Sequence, residues 1–388
     1  MSHHKRKNQS VRADQRAAAA ERVALEERHE ERFVDRSDRA SWVTFGPNLT
    51  EPRHRWLPYR QGLARALVDA FLAEAELAKL PVLDPFAGTG TVPLAVAQRG
   101  RTGIGVEVVA ALALAARLKA TTPTGAIPTL PPIPPGVTLA DWARPLTHPL
   151  HKACALATAA RTVGGDGRTR RGPTSLDAIA LDAWREIVQD ARTPVPGTVR
   201  ILHADARALP LADGSIGGVL TSPPYLSRYD YVRIAEPLTL VHDAWHTSAD
   251  RRAARERQVS SHPRAHARRW STPPHAAVAE VQAQLAGAGE PKLAGVVRSY
   301  FDDLATSLAE LARVLAPGAP AWIVVAGASL KRIYVPADLI LAELAQGTGL
   351  ELESIDFTRT LGDIERLLGA REAVTPRESI IRLRKSEW

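Results

Sequence analysis

The residues with the clearest chemical capacity lie in the run Gly217-Gly218-Val219-Leu220-Thr221-Ser222-Pro223-Pro224-Tyr225. An apolar run that stops at two prolines reads as a buried strand followed by a rigid loop, because proline has a fixed φ and no N–H for a ladder. The loop offers the Ser222 hydroxyl and the Ser222 and Pro223 carbonyls as acceptors, with the flat ring of Tyr225 beside them. That set suits an amino group on a planar heterocycle, which needs acceptors for its hydrogens and a face to stack on. In open α/β sheets, ligands bind beyond the carboxyl ends of the strands, where this loop falls. An ordinary strand-terminating turn would use the same residues, so the reading depends on what accompanies it.

A second stretch, Val82-Leu83-Asp84-Pro85-Phe86-Ala87-Gly88-Thr89-Gly90-Thr91, is again an apolar strand, now ending in an acid and a glycine-rich turn. Gly88 and Gly90 permit positive φ and close backbone approach to a ligand. A helical run from Val92 to Gln98 follows, whose first N–H groups would point at that ligand. A further strand, Thr102 to Val106, ends at Glu107, a carboxylate placed to accept hydrogen bonds from ribose hydroxyls.

Asp84-Pro85-Phe86-Ala87-Gly88-Thr89-Gly90-Thr91 followed by Thr221-Ser222-Pro223-Pro224-Tyr225 resembles the S-adenosylmethionine-dependent amino-methyltransferases of DNA. Ser-Pro-Pro-Tyr is similar to the cytosine-N4 branch, whereas the adenine-N6 branch more often carries Asp-Pro-Pro-Tyr. The resemblance extends over most of residues 41–122 and 198–385. It implies a Rossmann-like, seven-stranded class I methyltransferase fold with helical and basic insertions. It implies S-adenosylmethionine bound by Asp84, Phe86, Ala87, Gly88, Thr89, Gly90 and Glu107, and by Asp205, which would accept from the adenine amine. Asp205 also suits a turn or helix cap. Ser222, Pro223, Pro224 and Tyr225 would form the catalytic loop. The implied reaction is methylation of cytosine N4 in double-stranded DNA at a specific sequence, as in restriction-modification. Adenine-N6 methylation, modification of an exocyclic amine of RNA, and an inactive DNA-binding module are the alternatives. The intact Asp84, Gly88, Gly90 and Glu107 count against the last.

The composition suits such a protein. The 388 residues are enough for one large domain or two, and 45% hydrophobic residues suit a substantial core. Fifty basic residues against 42 acidic ones give a formal charge of +8, which suggests a polyanionic partner. No run approaches the ~20 apolar residues of a membrane span, and Met1 to Asn8 lacks the apolar core of a signal peptide. Cys154, the single cysteine, excludes an intrachain disulfide framework and cysteine zinc sites, and no metal site is expected. A cytoplasmic protein is the expectation.

The elements that must position the motifs follow in order. Residues 1–40 read as a charged helical arm, solvent-exposed and without chemistry. Residues 41–120 hold the first part of the methyltransferase domain. Within them, aromatics interleave with cations from Trp42 to Tyr59, reading either as the segment flanking the methionine end of the cofactor or as a packed extension with solvated arginines. Strand 81–86, helix 91–99, strand 102–107 and helix 109–120 argue for a parallel sheet. Residues 121–197 form a linker and helical insertion: six prolines without a charge between 122 and 136 make the linker, and helices follow near 146–162 and 175–192. Residues 198–248 carry a third strand, 199–204, the Ser-Pro-Pro-Tyr strand and a helix near 232–246. Residues 249–295 are a basic insertion with seven arginines between Asp250 and Trp270. A charge run is often a solvated face, but this one follows the proposed base pocket, so Arg264, Arg268 and Arg269 are expected to contact phosphates, with Tyr229 stacking on a base. Residues 273–291 read as a flexible return. Residues 296–388 close the domain with helix 296–315, strand 321–327, helix 336–346, strand 350–358 and an outer strand near 378–384. Residues 361–370 read as a lid.

Overall fold

The computed structural model describes residues 19–59, 61–75, 79–162, 175–242, 248–262, 273–361 and 376–387. The apolar runs of the sequence become the middle of a twisted sheet. β2 (Val82–Asp84), β3 (Thr102–Val106), β4 (Thr198–Leu202), β5 (Gly218–Thr221) and β6 (Pro320–Ala326) pair in parallel. β10 (Arg377–Lys385) inserts antiparallel between β6 and β9 (Leu350–Thr360). β1 (Phe33–Asp35) adds a parallel edge to β9. The order is β1-β9-β10-β6-β5-β2-β3-β4. A separate hairpin joins β7 (Ala328–Leu330) to β8 (Ile333–Val335).

This is the α/β, Rossmann-like sheet expected from the resemblance, with eight strands among the described residues rather than seven. The extra strand comes from the N-terminal arm. It is only three residues, Phe33-Val34-Asp35, set among charges and partly exposed at a sheet edge, so it carries no strand pattern of its own. The arm is also not a solvated face. Helix α1 (Ala20–His29) buries Arg22, Leu25 and His29. Arg22 donates from Nη1 to the Tyr334 carbonyl at 2.6 Å and from Nη2 to Gln284 Oε1 at 2.7 Å. Residues 11–18 lie outside the described residues.

Connecting helices cover both faces. α2 (Arg65–Glu74) and α3 (Thr91–Gln98) bury one face with Phe71 edge-on to Trp322 at 5.2 Å. α4 (Ala110–Lys119) follows β3, and the proline-rich stretch then leads to α5 (Leu139–Ala143), α6 (Pro149–Thr162) and α7 (Leu176–Asp190). These insertion helices form a second core with α4, α8 (Tyr231–His242), Trp56 and Leu57. Cys154 is buried there, its thiol pushed up to about 12 by desolvation. α9 (Ser248–Arg257) carries the start of the basic stretch. Residues 273–291 are not a flexible return: they contain α10 (Ala276–Gly287), which packs on α11 (Pro291–Val314) through Val278, Val281 and Leu285. The prolines and glycines around it mark its ends. α12 (Ala337–Gln346) completes that face. No helix among the described residues is long and apolar enough to cross a membrane.

The strand order reverses between β2 and β5, so the crevice beyond their carboxyl ends is where a ligand belongs. Both motifs empty into it.

Candidate active site

On the β2 side, burial and backbone donors organise two carboxylates. Asp84 ends β2 and is 5% exposed. Its Oδ1 accepts from the Phe86 N–H at 3.1 Å and from the Thr221 hydroxyl at 2.7 Å. The second bond ties the tips of β2 and β5 together across the switch point. Glu107 directly follows β3 and is 8% exposed. It accepts from the Gly88 N–H at 2.9 Å and the Val109 N–H at 2.8 Å, holding the glycine loop against the next helix. Burial pushes both carboxyls up to about 7, against the opposing pull of those donors. A carboxylate has about four acceptor sites, so Glu107 keeps acceptor capacity beyond these backbone bonds.

Gly88 and Gly90 both have positive φ, +52° and +81°. A side chain at Gly88 would meet the ring of Tyr59 at 3.0 Å, and one at Gly90 would meet Ala116 Cβ at 2.7 Å. Gly90 therefore serves the approach of α4 to the loop. Behind the turn, Lys119 is fully buried and donates from Nζ to Thr89 Oγ1 at 3.0 Å, its ammonium pulled down to about 7 by desolvation.

Several of these residues border a cavity that opens to solvent. Asp84, Phe86, Ala87, Gly88, Thr89 and Glu107 line it on one side. Asp205, beyond β4, lines it as well. The Asp205 carboxylate is also paired with Arg207 at 2.6 Å and accepts the Arg207 N–H at 2.9 Å, so the turn role and the cavity position coexist. Ser222 and Pro224 line the same cavity. Gly90, Pro223, Tyr225 and Tyr229 are not among the lining residues; Pro223 faces a separate pocket with Leu304 and Leu308.

Tyr225 is nearly buried. Its hydroxyl donates to Glu378 Oε1 at 2.6 Å, its N–H donates to Tyr231 Oη at 3.0 Å, and Ser222 Oγ lies 3.4 Å from its oxygen. Tyr229 is half-buried, edge-on to Tyr231 at 5.9 Å, with Arg228 over its ring. Arg264, Arg268 and Arg269 lie outside the described residues, as does the expected lid apart from Leu361. Arg257, from the same stretch, reaches the cavity wall. Earlier in the chain the arginines are not solvated: Arg53 is buried and donates to the carbonyls of Lys119, Thr121, Ala191 and Thr193.

Tyr59, Lys119 and Glu378 do not stand out in the sequence. Tyr59 lies inside the aromatic segment before the glycine turn, which is the available signal. The others reach the site by tertiary packing.

The donor set fits S-adenosylmethionine: an acid at each of three successive strand tips, a glycine turn against the cavity, and an apolar wall from Leu63, Val92 and Leu112. Comparison with known proteins finds several partial relatives and one family match. The chain is 33% identical over 87 residues to the Type II methyltransferase M.AvaI of Nostoc sp., covering 22% of this chain and 18% of that protein. It is 33% identical over 67 residues to the Type II methyltransferase M.BsoBI of Geobacillus stearothermophilus, covering 17% and 13%. The matched part thus spans under a fifth of these relatives. A SAM-dependent methyltransferase of Methanosarcina mazei aligns over 81% of this chain and 97% of its own, at 11% identity and TM-score 0.35. The profile of UPF0020, the RMKL-like methyltransferase domain, matches residues 57–262, which spans both motifs and more than half of the chain; this protein belongs to that family.

Proposed function

We propose that this methyltransferase moves a methyl group from S-adenosylmethionine to the exocyclic N4 amine of a cytosine flipped out of double-stranded DNA. The observation that carries the reading is the shared cavity: Ser222 and Pro224 line it together with Asp84, Gly88 and Glu107, and the Thr221–Asp84 hydrogen bond ties the two strand tips together. The identity to Type II methyltransferases supports a DNA substrate. S-adenosylmethionine is the cofactor, and it supplies a sulfonium methyl already activated for transfer.

The rest falls to the chain. Glu107 and Asp205 hold the ribose and adenine ends, and the glycine turn admits the cofactor closely. Ser222 Oγ and the adjoining carbonyls accept from the target amine, whose lone pair is otherwise delocalised into the ring, and so favour a pyramidal nitrogen. Orientation supplies much of the rate, since the reacting atoms must be in line. As the N–CH3 bond forms and the S–CH3 bond breaks, one N–H proton leaves to solvent. A base inside a duplex is inaccessible to this cavity, so it must leave the stack. Tyr225 lies behind the cavity wall and braces the Ser222 loop through its hydroxyl, Tyr229 is the aromatic left to stack on a base, and the basic stretch through Arg264, Arg268 and Arg269 contacts phosphates. The second reading, adenine N6, uses the same geometry; Ser222 in place of an aspartate favours cytosine. Purified protein with methyl-labelled cofactor is expected to label unmodified duplex DNA and not RNA. Label in RNA alone contradicts the proposal.

A further inference from the structure

We propose that Glu378 is a positioning residue for the target amine: it sets the direction of a Glu378–Tyr225–Ser222 hydrogen-bond chain so that Ser222 Oγ faces the cavity as an acceptor only. The inference rests on the reading of Ser222 as the amine's partner. Glu378 stands on β10, 153 residues from Tyr225, and is 2% exposed. Its Oε2 accepts from Arg359 Nε in an ion pair, and its Oε1 accepts the Tyr225 phenol proton at 2.6 Å. An ionised carboxylate has no proton to give. The single proton of Tyr225 is therefore committed to Glu378, and the phenol oxygen only accepts from its other neighbour. That neighbour is Ser222, whose Oγ donates across 3.4 Å. With its one proton so directed, Ser222 presents lone pairs to the cavity.

A free serine hydroxyl donates as readily as it accepts. The buried carboxylate removes that choice, and a neutral hydroxyl then serves an N–H donor as an aspartate would. Two further features hold the chain in place. Tyr225 is fixed from its other end by its N–H bond to Tyr231. The β9–β10 register shifts at Glu378 and Ser379, and Thr358 Oγ1 donates to the Glu378 carbonyl at 2.7 Å. Such irregularities beside a site re-aim a side chain. Arg359 is the charged neighbour of the carboxylate, with Arg228 and Tyr231 the other ionisable groups on this side.

The test is a double-mutant cycle of Glu378→Gln and Tyr225→Phe, read as kcat for transfer of labelled methyl to unmethylated duplex DNA, with cofactor Kd and Tm measured alongside. In Glu378→Gln the amide that replaces one oxygen turns toward Tyr225 when the other stays on Arg359, which reverses the chain. Each single variant is expected to lose about tenfold or more in kcat with cofactor Kd unchanged, and the double to be no worse than Tyr225→Phe alone. Wild-type kcat in Glu378→Gln, or losses that multiply in the double, overturns the inference while the wild type still methylates DNA. If Glu378→Gln folds poorly, Glu378→Asp keeps a charge beside Arg359 but shortens the reach to Tyr225; it should show the same kcat loss, and full activity in it overturns the inference. A wild type that methylates no DNA base removes the functional reading, and the inference with it.

Discussion

The two walls of the cavity are built in opposite ways. The β2–β3 wall is local: the acceptors Asp84 and Glu107 and the backbone donors of Phe86, Gly88 and Val109 lie within a few turns of chain of one another. The Ser-Pro-Pro-Tyr wall is assembled from a distance. Its tyrosine is held by Glu378 on the far strand β10, and the loop is pinned where the Ser227 N–H donates to the Ser261 carbonyl at 2.5 Å. The β2–β5 ladder and the Thr221–Asp84 hydrogen bond at its tip couple the two. A wall made by local backbone bonds should bind its ligand whether or not the other wall is intact. A wall closed by tertiary contacts should lose function through changes far from it in sequence.

The largest effect expected is on the local wall. Asp84→Ala and Glu107→Gln should each weaken S-adenosylmethionine binding by ~1.5–3 kcal/mol, about tenfold or more, in calorimetry. Unchanged affinity in a folded variant would make that carboxylate a strap of the glycine loop alone. Next in size, Tyr225→Ala should cut methyl transfer by about tenfold, because it removes the buried link between Glu378 and Ser222, while cofactor affinity stays close to wild type. A parallel loss of affinity would show that the walls are not independent.

The difference between the walls also explains what is legible in the sequence. Asp84, Gly88, Glu107 and Ser222 sit in short motifs whose spacing fixes their place at strand tips, so the sheet and the facing motifs can be read from the residues. Glu378 cannot: it lies in a loosely alternating strand, and only the antiparallel insertion of β10 between β6 and β9 brings it to Tyr225. The same holds for Lys119, an ordinary cation at a helix end until α4 packs it under Thr89. The eighth strand and α10 escape a reading of the sequence because charge in one case and flanking prolines and glycines in the other outweigh their apolar positions, which packing then decides.

A smaller effect separates the walls by pH. The Asp84 and Glu107 carboxyls titrate near 7 in the folded chain, raised by burial. In the proposed role of Glu107, ribose hydroxyls donate to its ionised form, so binding lowers its pKa. Affinity should be full above that pKa and fall as pH drops through it, by up to about tenfold per pH unit for one group. Glu107→Gln should flatten the profile; a profile that survives it arises from Asp84 or from Lys119, which titrates in the same range. The smallest change per residue is expected outside the cavity. Replacing Arg264, Arg268 and Arg269 with Ala should weaken binding to all DNA and reduce the salt slope by roughly one unit for each phosphate that an arginine no longer neutralises. An unchanged slope would make the stretch a solvated face.

The central claim is that the facing motifs methylate the exocyclic amine of cytosine in DNA, and nucleoside mass spectrometry of DNA and RNA from a host expressing the protein tests it most directly. The account predicts N4-methylcytosine in DNA, lost on Tyr225→Ala. N6-methyladenine alone would contradict the role given to Ser222 and keep the amine chemistry, whereas new methylation confined to RNA would contradict the account as a whole.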